Sequence, residues 1–171
     1  MCIRDSHDSN RIEKTETDAG GKGINLSRMA AQLGAKTVAT GFLGGPTGRM
    51  VLHALESTGA SHDFVEVDEE TRTNVSVESG DGPPTVFSAQ GPNVTGLEWE
   101  SLLATVARYC DRSAWVAMGG SLPPGAPKEA YRVLCDLAHT CGARVLLDAD
   151  GEALKHGLEA RPDFILSLIH I

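Results

Sequence analysis

Residues 18–43 read DAGGKGINLSRMAAQLGAKTVATGFL, and this stretch decides the fold. Gly20, Gly21, Lys22 and Gly23 interrupt the chain, after which Leu26, Met29, Ala30 and Leu33 recur at the spacing of one helix face. Gly34 stands where a helix closes, and Thr37 to Leu43 follows as a short apolar run of buried-strand type. Loop, helix and strand in that order make one unit of an α/β sheet.

Working outward, the alternation repeats. Thr47 to Thr58 predicts a helix and Phe64 to Val67 a strand. Further on come a helix over about Leu97 to Tyr109, a strand over Ala114 to Met118, a Gly/Pro loop over Gly119 to Gly125 and a helix after Pro127. A strand over Arg144 to Leu147, a short helix after Asp150 and a strand from Asp163 complete the series. Strands separated by helices of this length pair in parallel through right-handed crossovers. The period changes to two in two places. Arg11 to Thr17 alternates Ile12 with charges and threonines, which predicts an exposed strand. Thr73 to Val77 alternates as well, Gly80-Asp81-Gly82-Pro83-Pro84 turns, and Thr85 to Phe87 returns as a hairpin. The expected architecture is an open, mostly parallel sheet with helices on both faces, carrying a small β excursion from residues 11–17 and 71–91.

Composition agrees with an ordinary globular domain. The 171 residues are 41% hydrophobic and carry 15 Lys+Arg against 23 Asp+Glu, a net charge of -8. That excludes disordered, collagenous and coiled-coil classes, and a chain this long buries most of the surface it exposes when unfolded. The acidity argues against a nucleic-acid binder or an anionic-membrane surface, both of which need a basic face. No apolar run approaches the roughly 18 residues of a membrane span, and residues 1–10 have no signal-peptide core, so a cytoplasmic location is expected. Cys2, Cys110, Cys135 and Cys141 match neither zinc-ribbon nor CxxC spacing, and the six histidines are scattered, so reduced thiols and no metal ligands are expected.

The two ends differ from the rest. MCIRDS (residues 1–6) and LSLIHI (residues 166–171) resemble translated sequencing-adapter remnants and are set apart from the fold, the alternative for the second being a native hydrophobic strand. The expected domain therefore occupies residues 11–165 and is an internal piece of a longer protein.

Four segments carry candidate chemistry. In Gly20-Gly21-Lys22-Gly23-Ile24-Asn25, glycines let backbone N–H groups approach an anion, the helix start adds its dipole and Lys22 adds a full charge. The segment lacks the upstream glycine and the Ser or Thr of a P-loop, and a plain helix-starting turn remains open. Arg72, in Thr71-Arg72-Thr73-Asn74 at the base of the excursion, can fork two hydrogen bonds onto a phosphate from a strand; equally it is an exposed strand charge. Gly119-Gly120-Ser121-Leu122-Pro123-Pro124-Gly125 follows a strand at its carboxyl end, where open α/β sheets place ligands, or is a rigid connection set by its prolines. Asp148 and Asp150 end the next strand; Asp150 serves either a site or the N-cap of the following helix.

Taken jointly, DAGGKGINLSRMAAQLGA, GFLGGPTGRMVLHALESTGA, TRTNV and GSLPPGAPKEAYRVLCDLAHTCGARVLLDADGEALKHGLEARPDFI resemble the PfkB (ribokinase-like) carbohydrate kinases, most of all their 1-phosphofructokinase and tagatose-6-phosphate kinase branch. The resemblance runs in order from about Arg11 to Ile165. It implies a ribokinase-type fold with a β lid and transfer of the ATP γ-phosphoryl group, assisted by Mg2+, to a sugar phosphate. For that branch the reaction is fructose 1-phosphate to fructose 1,6-bisphosphate, with tagatose 6-phosphate, fructose 6-phosphate or an unphosphorylated sugar as alternative acceptors. It further implies that Gly20, Gly21, Lys22 and Asn25 contact the sugar phosphate, that Arg72 clamps it with Asn74 nearby, that Gly120 and Ser121 add loop contacts, and that the lid forms a homodimer. The family's Gly-Ala-Gly-Asp motif, whose Asp is the catalytic base, occurs nowhere in these 171 residues, so no catalytic residue is assigned and the chain alone is expected to be inactive. Two other classes stay in view: a non-catalytic sugar-phosphate-binding module, and a Rossmann-type oxidoreductase, disfavoured because no GxGxxG follows a strand.

Overall fold

A computed structural model of the chain describes residues 12–78 and 82–166. The first helix, α1 (Lys22–Gln32), starts after the glycines and closes at Gly34, whose positive φ of 83° is the left-handed turn expected there. Next come β1 (Val38–Ala39), β2 (Phe42–Leu43), α2 (Gly45–Glu56), β3 (Ser61–His62) and β4 (Val65–Glu66). The hairpin is β5 (Val75–Val77) and β6 (Thr85–Phe87), antiparallel with Ser76 opposite Val86. The chain then continues through α3 (Gly96–Cys110), β7 (Trp115–Gly119), α4 (Ala130–Thr140), β8 (Arg144–Asp148), α5 (Gly151–Glu159) and β9 (Phe164–Leu166). This is the expected α/β alternation with a β excursion.

The expected single strand Thr37 to Leu43 is two short strands. Gly41 interrupts it with φ 148°, yet the hydrogen bonds carry on across the break: Asp63 N donates to Ala39 O, Val65 N to Gly41 O and Val67 N to Leu43 O. Residues 38–43 thus form one edge paired in parallel with 61–67. The second block is the parallel ladder β7-β8-β9, in which Met118 lies opposite Leu147 and Leu147 opposite Ile165. Leu166 pairs with Asp148, so the ladder runs one residue past the expected boundary at 165. Residues 1–6 and 167–171, and Arg11 with them, lie outside the described residues.

The exposed strand expected over residues 11–17 is not formed among the described residues of that stretch. Residues 12–17 are fully exposed, Lys14 pairs with Glu16 on its own segment, and no neighbouring strand takes up their backbone groups. Alternation without a partner edge does not make a strand.

Packing follows the two-residue period of β8. Val145 and Leu147 are fully buried on one face, against α3, α4 and the start of α5, in clusters that include Cys110, Cys135, Tyr131 and Leu134. Burial pushes the Cys110 and Cys135 thiols up to about 11, and both are free, as is Cys141. The alternate positions of β8, Leu146 and Asp148, turn the other way, toward α1, which packs on both β1 and β7. Helices therefore cover both faces. Among the described residues the two parallel blocks share no ladder hydrogen bonds; an open cleft of about 3190 Å³ separates them, lined by residues 38–43 on one side and 114–120 on the other, with Leu26 and Ala30 of α1 against it. Among the same residues no helix is long and apolar enough to cross a membrane.

Candidate functional site

The site lies at the carboxyl ends of β7 and β8, where the ladder hands over to loops. β7 ends at Gly119, and a Cβ there would sit 2.5 Å from the Asp148 carbonyl oxygen, so only glycine lets the two strand ends come this close. Gly120 follows with φ 100°; its N–H donates to Asp148 O at 3.0 Å and its carbonyl accepts from the buried Tyr131 hydroxyl at 2.7 Å. The Tyr131 phenol is pushed upward first by burial and then by the Asp148 and Asp150 carboxylates, so it stays a neutral donor. Both peptides around Gly120 are pinned, and Ser121 is presented at the mouth of the cleft.

Lys22 and Arg72 reach this mouth from opposite parts of the chain. Lys22, the first residue of α1, places Nζ 2.6 Å from Asp148 Oδ1 and 3.4 Å from Asp148 O, a contact across 126 residues. Arg72 Nη1 donates to Ser121 Oγ at 2.7 Å. Arg72 is not on a strand, as expected from sequence, but in the lead-in to β5, and three consecutive residues strap it down. Glu69 Oε2 accepts from Asn93 N at 2.7 Å, Glu70 Oε1 from Thr47 N at 2.7 Å, and Thr71 Oγ1 from the buried Gly44 N at 2.9 Å, while Thr71 N returns to Gly44 O at 3.0 Å. Hydrogen bonds from the Thr47 side chain and backbone hold the Glu70 carboxyl below its usual range, so the α2 N-terminus is already occupied by a carboxylate of this chain.

Of the residues expected to form the site, Gly20, Gly21, Lys22, Arg72, Asn74, Gly120 and Ser121 all line the one cleft. Asn25 does not; it stands in the first turn of α1, its N–H donating to Gly21 O at 2.9 Å. Asn74 Oδ1 is engaged by Ala89 N at 3.1 Å and braces the hairpin base. Asp150 occupies the N-cap position of α5 but makes no side-chain capping bond, so the cap favoured by its position is not realised. Sequence reasoning missed Asp148 as the partner of Lys22, Tyr131 as the support of Gly120, and the Glu69-Glu70-Thr71 strap. A strand-end acid was visible; its partner, so far away in sequence, was not. Among the described residues no three His, Cys, Asp or Glu side chains gather to hold a metal ion.

The arrangement places two cations, Lys22 and Arg72, and the Ser121 hydroxyl on the lining of one open cleft, together with the glycines at the start of α1. Comparison with known proteins identifies the family. Residues 1–166 match the profile of the pfkB family carbohydrate kinases. Among solved structures, a Thermotoga maritima protein described as a possible 1-phosphofructokinase superposes with a TM-score of 0.85 at 28% identity, over 95% of this chain and 52% of that one. A phosphofructokinase candidate from Staphylococcus aureus gives 0.79 at 34% identity, over 93% and 51%. Phosphofructokinase-2 from Escherichia coli, solved with potassium, gives 0.74 at 32% identity, over 82% and 45%; that protein has also been solved with fructose-6-phosphate and as an inhibited tetramer. The chain thus spans about half the length of the solved relatives it matches. By the profile match over nearly its whole length and by this shared α/β fold, the chain belongs to the pfkB family of carbohydrate kinases.

Proposed function

We propose that the protein is an ATP-dependent sugar-phosphate kinase acting on fructose 1-phosphate to give fructose 1,6-bisphosphate, and that these residues build the half of the site that grips the acceptor's phosphate. The observation that carries the reading is that Lys22, paired with Asp148, and Arg72, bonded to Ser121, line the same cleft as the Gly120-Ser121 loop. A protein of net charge -8 that binds a dianion needs such a concentrated positive point. In this reading Arg72 forks onto two phosphate oxygens, Ser121 and the backbone N–H groups near Gly20 and Gly21 donate to others, and Lys22 supplies the second charge. Binding remote from the reacting hydroxyl orients the sugar for in-line transfer.

The donor we propose is ATP, with Mg2+ balancing the charge of its phosphates. Among the described residues no three His, Cys, Asp or Glu side chains gather to hold that ion. The base and the donor pocket are assigned to the part of the family's length that this chain does not span, which makes the 171 residues by themselves inactive. The name of the Thermotoga maritima relative supports fructose 1-phosphate; the Escherichia coli complex favours a second reading, with fructose 6-phosphate as acceptor, and tagatose 6-phosphate is a third. The hairpin exposes Val75, Val77 and Phe87, apolar residues at 52%, 47% and 55% exposure, which supports a homodimer through the lid.

The test is a substrate panel with ATP and Mg2+ on the full-length protein encoded by the intact gene, alongside Lys22→Ala and on the 171 residues alone. Turnover of fructose 1-phosphate by the full protein, a raised KM in Lys22→Ala and no turnover by the 171 residues are expected. A preference for an unphosphorylated sugar, or no kinase activity, contradicts the reading.

A further inference from the structure

We propose that Asp148 is a positioning residue for Lys22: it holds the ammonium at the cleft wall with two of its N–H directions engaged, leaving the third for a phosphate oxygen of the acceptor. The inference rests on the phosphate-binding reading of Lys22 and adds the residue through which Lys22 acts. A lysine ammonium has three donors. One meets Asp148 Oδ1 at 2.6 Å and a second points at the Asp148 carbonyl at 3.4 Å. Lys22 lines the cleft and Asp148 does not, so the carboxylate stands behind the ammonium and the open direction faces the ligand.

Asp148 is itself rigidly placed. It ends β8 opposite both Gly119 and Leu166, the period of the strand turns its side chain away from buried Leu147 and toward α1, and its carbonyl also receives the Gly120 N–H at 3.0 Å. One residue therefore sets the position of Lys22 through its side chain and of the Gly120-Ser121 loop through its backbone. Lys22, by contrast, is a flexible stem at a helix start, and a ligand that had to immobilise it unaided would pay in rotamer freedom. The carboxylate also opposes a phosphate electrostatically. The two side chains are 43% and 29% exposed, so solvent screens that opposition, whereas it does not screen the geometric constraint. Positioning is the larger effect.

The experiment measures KM and kcat for fructose 1-phosphate in the full-length protein and in Asp148→Asn, Asp148→Ala and Lys22→Ala, with Asp148→Ser replacing the alanine variant if that one does not fold. Asp148→Asn keeps an acceptor oxygen and is expected to stay within about threefold of the parent KM, while Asp148→Ala raises KM about tenfold with kcat little changed, the signature of lost binding geometry. Equal KM in Asp148→Ala and the parent, or equal losses in the asparagine and alanine variants, overturns the proposal. A Lys22→Ala variant with unchanged KM defeats the phosphate reading instead. A readout independent of turnover is acetylation of Lys22 by acetic anhydride, followed by mass spectrometry: several-fold faster labelling in Asp148→Ala is expected, because removing the carboxylate frees the amine, and an unchanged rate shows that Asp148 does not hold Lys22 whatever the substrate.

Discussion

The Arg72 guanidinium donates to Ser121 Oγ at 2.7 Å, joining the base of the lid to the loop after β7 across 49 residues. A rigid fork held this way is not replaced by a flexible point charge. Arg72→Lys is expected to raise KM for the phosphosugar about fivefold and Arg72→Ala about fiftyfold, with smaller changes in kcat, since each removes binding remote from the reacting hydroxyl. Ser121→Ala, which loses an orienting acceptor but no charge, should cost less than either. Steady-state kinetics on the full-length protein checks the order.

The strap that precedes Arg72 is a stability element. Thr71 Oγ1 is the acceptor for the N–H of buried Gly44, and Thr71→Val, a side chain of similar shape, leaves that donor without its partner. The expected loss is about 1–3 kcal/mol of unfolding free energy, the cost of an unsatisfied buried group. Denaturant titration of the variant measures it, and a loss below a few tenths of that range would mean that water replaces the hydroxyl.

Gly119→Ala drives a methyl group against backbone. The new Cβ would lie 2.5 Å from the Asp148 carbonyl oxygen and 3.0 Å from Asp148 Cβ, and neither atom can swing away as a flexible side-chain tip could. The strand ends must separate, which should cost about 1–3 kcal/mol and loosen the Lys22–Asp148 pair at the same time. Thermal unfolding together with the phosphosugar KM tests both effects; an unperturbed KM would show that the strand ends and the site are not coupled.

Acid destabilises the second ladder through Asp163. Its carboxylate accepts from Val145 N at 2.8 Å and lies 3.3 Å from His139 Nε2, and these contacts, the backbone bond foremost, hold its carboxyl below the ordinary value of 3.8. A group whose folded pKa is depressed contributes stability that is fully present above its unfolded pKa and is lost as pH falls through the folded one. Unfolding free energy should therefore fall below about pH 4, and Asp163→Asn should flatten that acid limb. Urea titrations from neutral pH into the acid range check it; an unchanged limb in the variant would assign the acid loss to other carboxylates.

Much of the fold was legible because periodicity is local. The helix after the glycines, the two-residue period of Val75 to Val77 and the Gly/Pro loop after β7 each needed only neighbouring residues. So did one signal that went unused: Thr95-Gly96-Leu97-Glu98 is a capping box, with Thr95 and Glu98 each bonding the other's backbone, and it marks the start of α3 at Gly96. What failed to show depended on distant partners. The stripe expected on α1 is not its core face: Leu26, Met29 and Leu33 are exposed, while Ser27 is buried and Ile24 and Ala31 pack on the core. The alternating residues 12–17 looked like a strand but met no edge, and Gly41 divided a run that composition alone made continuous. At the site, the sequence pointed to Lys22, Arg72 and the Gly120-Ser121 loop separately; that they line one cleft, with Asp148 holding Lys22 and Tyr131 holding Gly120, is a property of the ladder β7-β8 and of α1 packing on it.

The most direct test of the phosphate-gripping role of Lys22 and Arg72 is kcat/KM for fructose 1-phosphate and for fructose, measured with ATP on the full-length protein and on the double variant Lys22→Ala/Arg72→Ala. The predicted result is a strong preference for the phosphosugar in the parent that collapses in the double variant, mostly through KM. A parent that uses fructose as well as its phosphate, or a double variant that keeps the parent's preference, would contradict it.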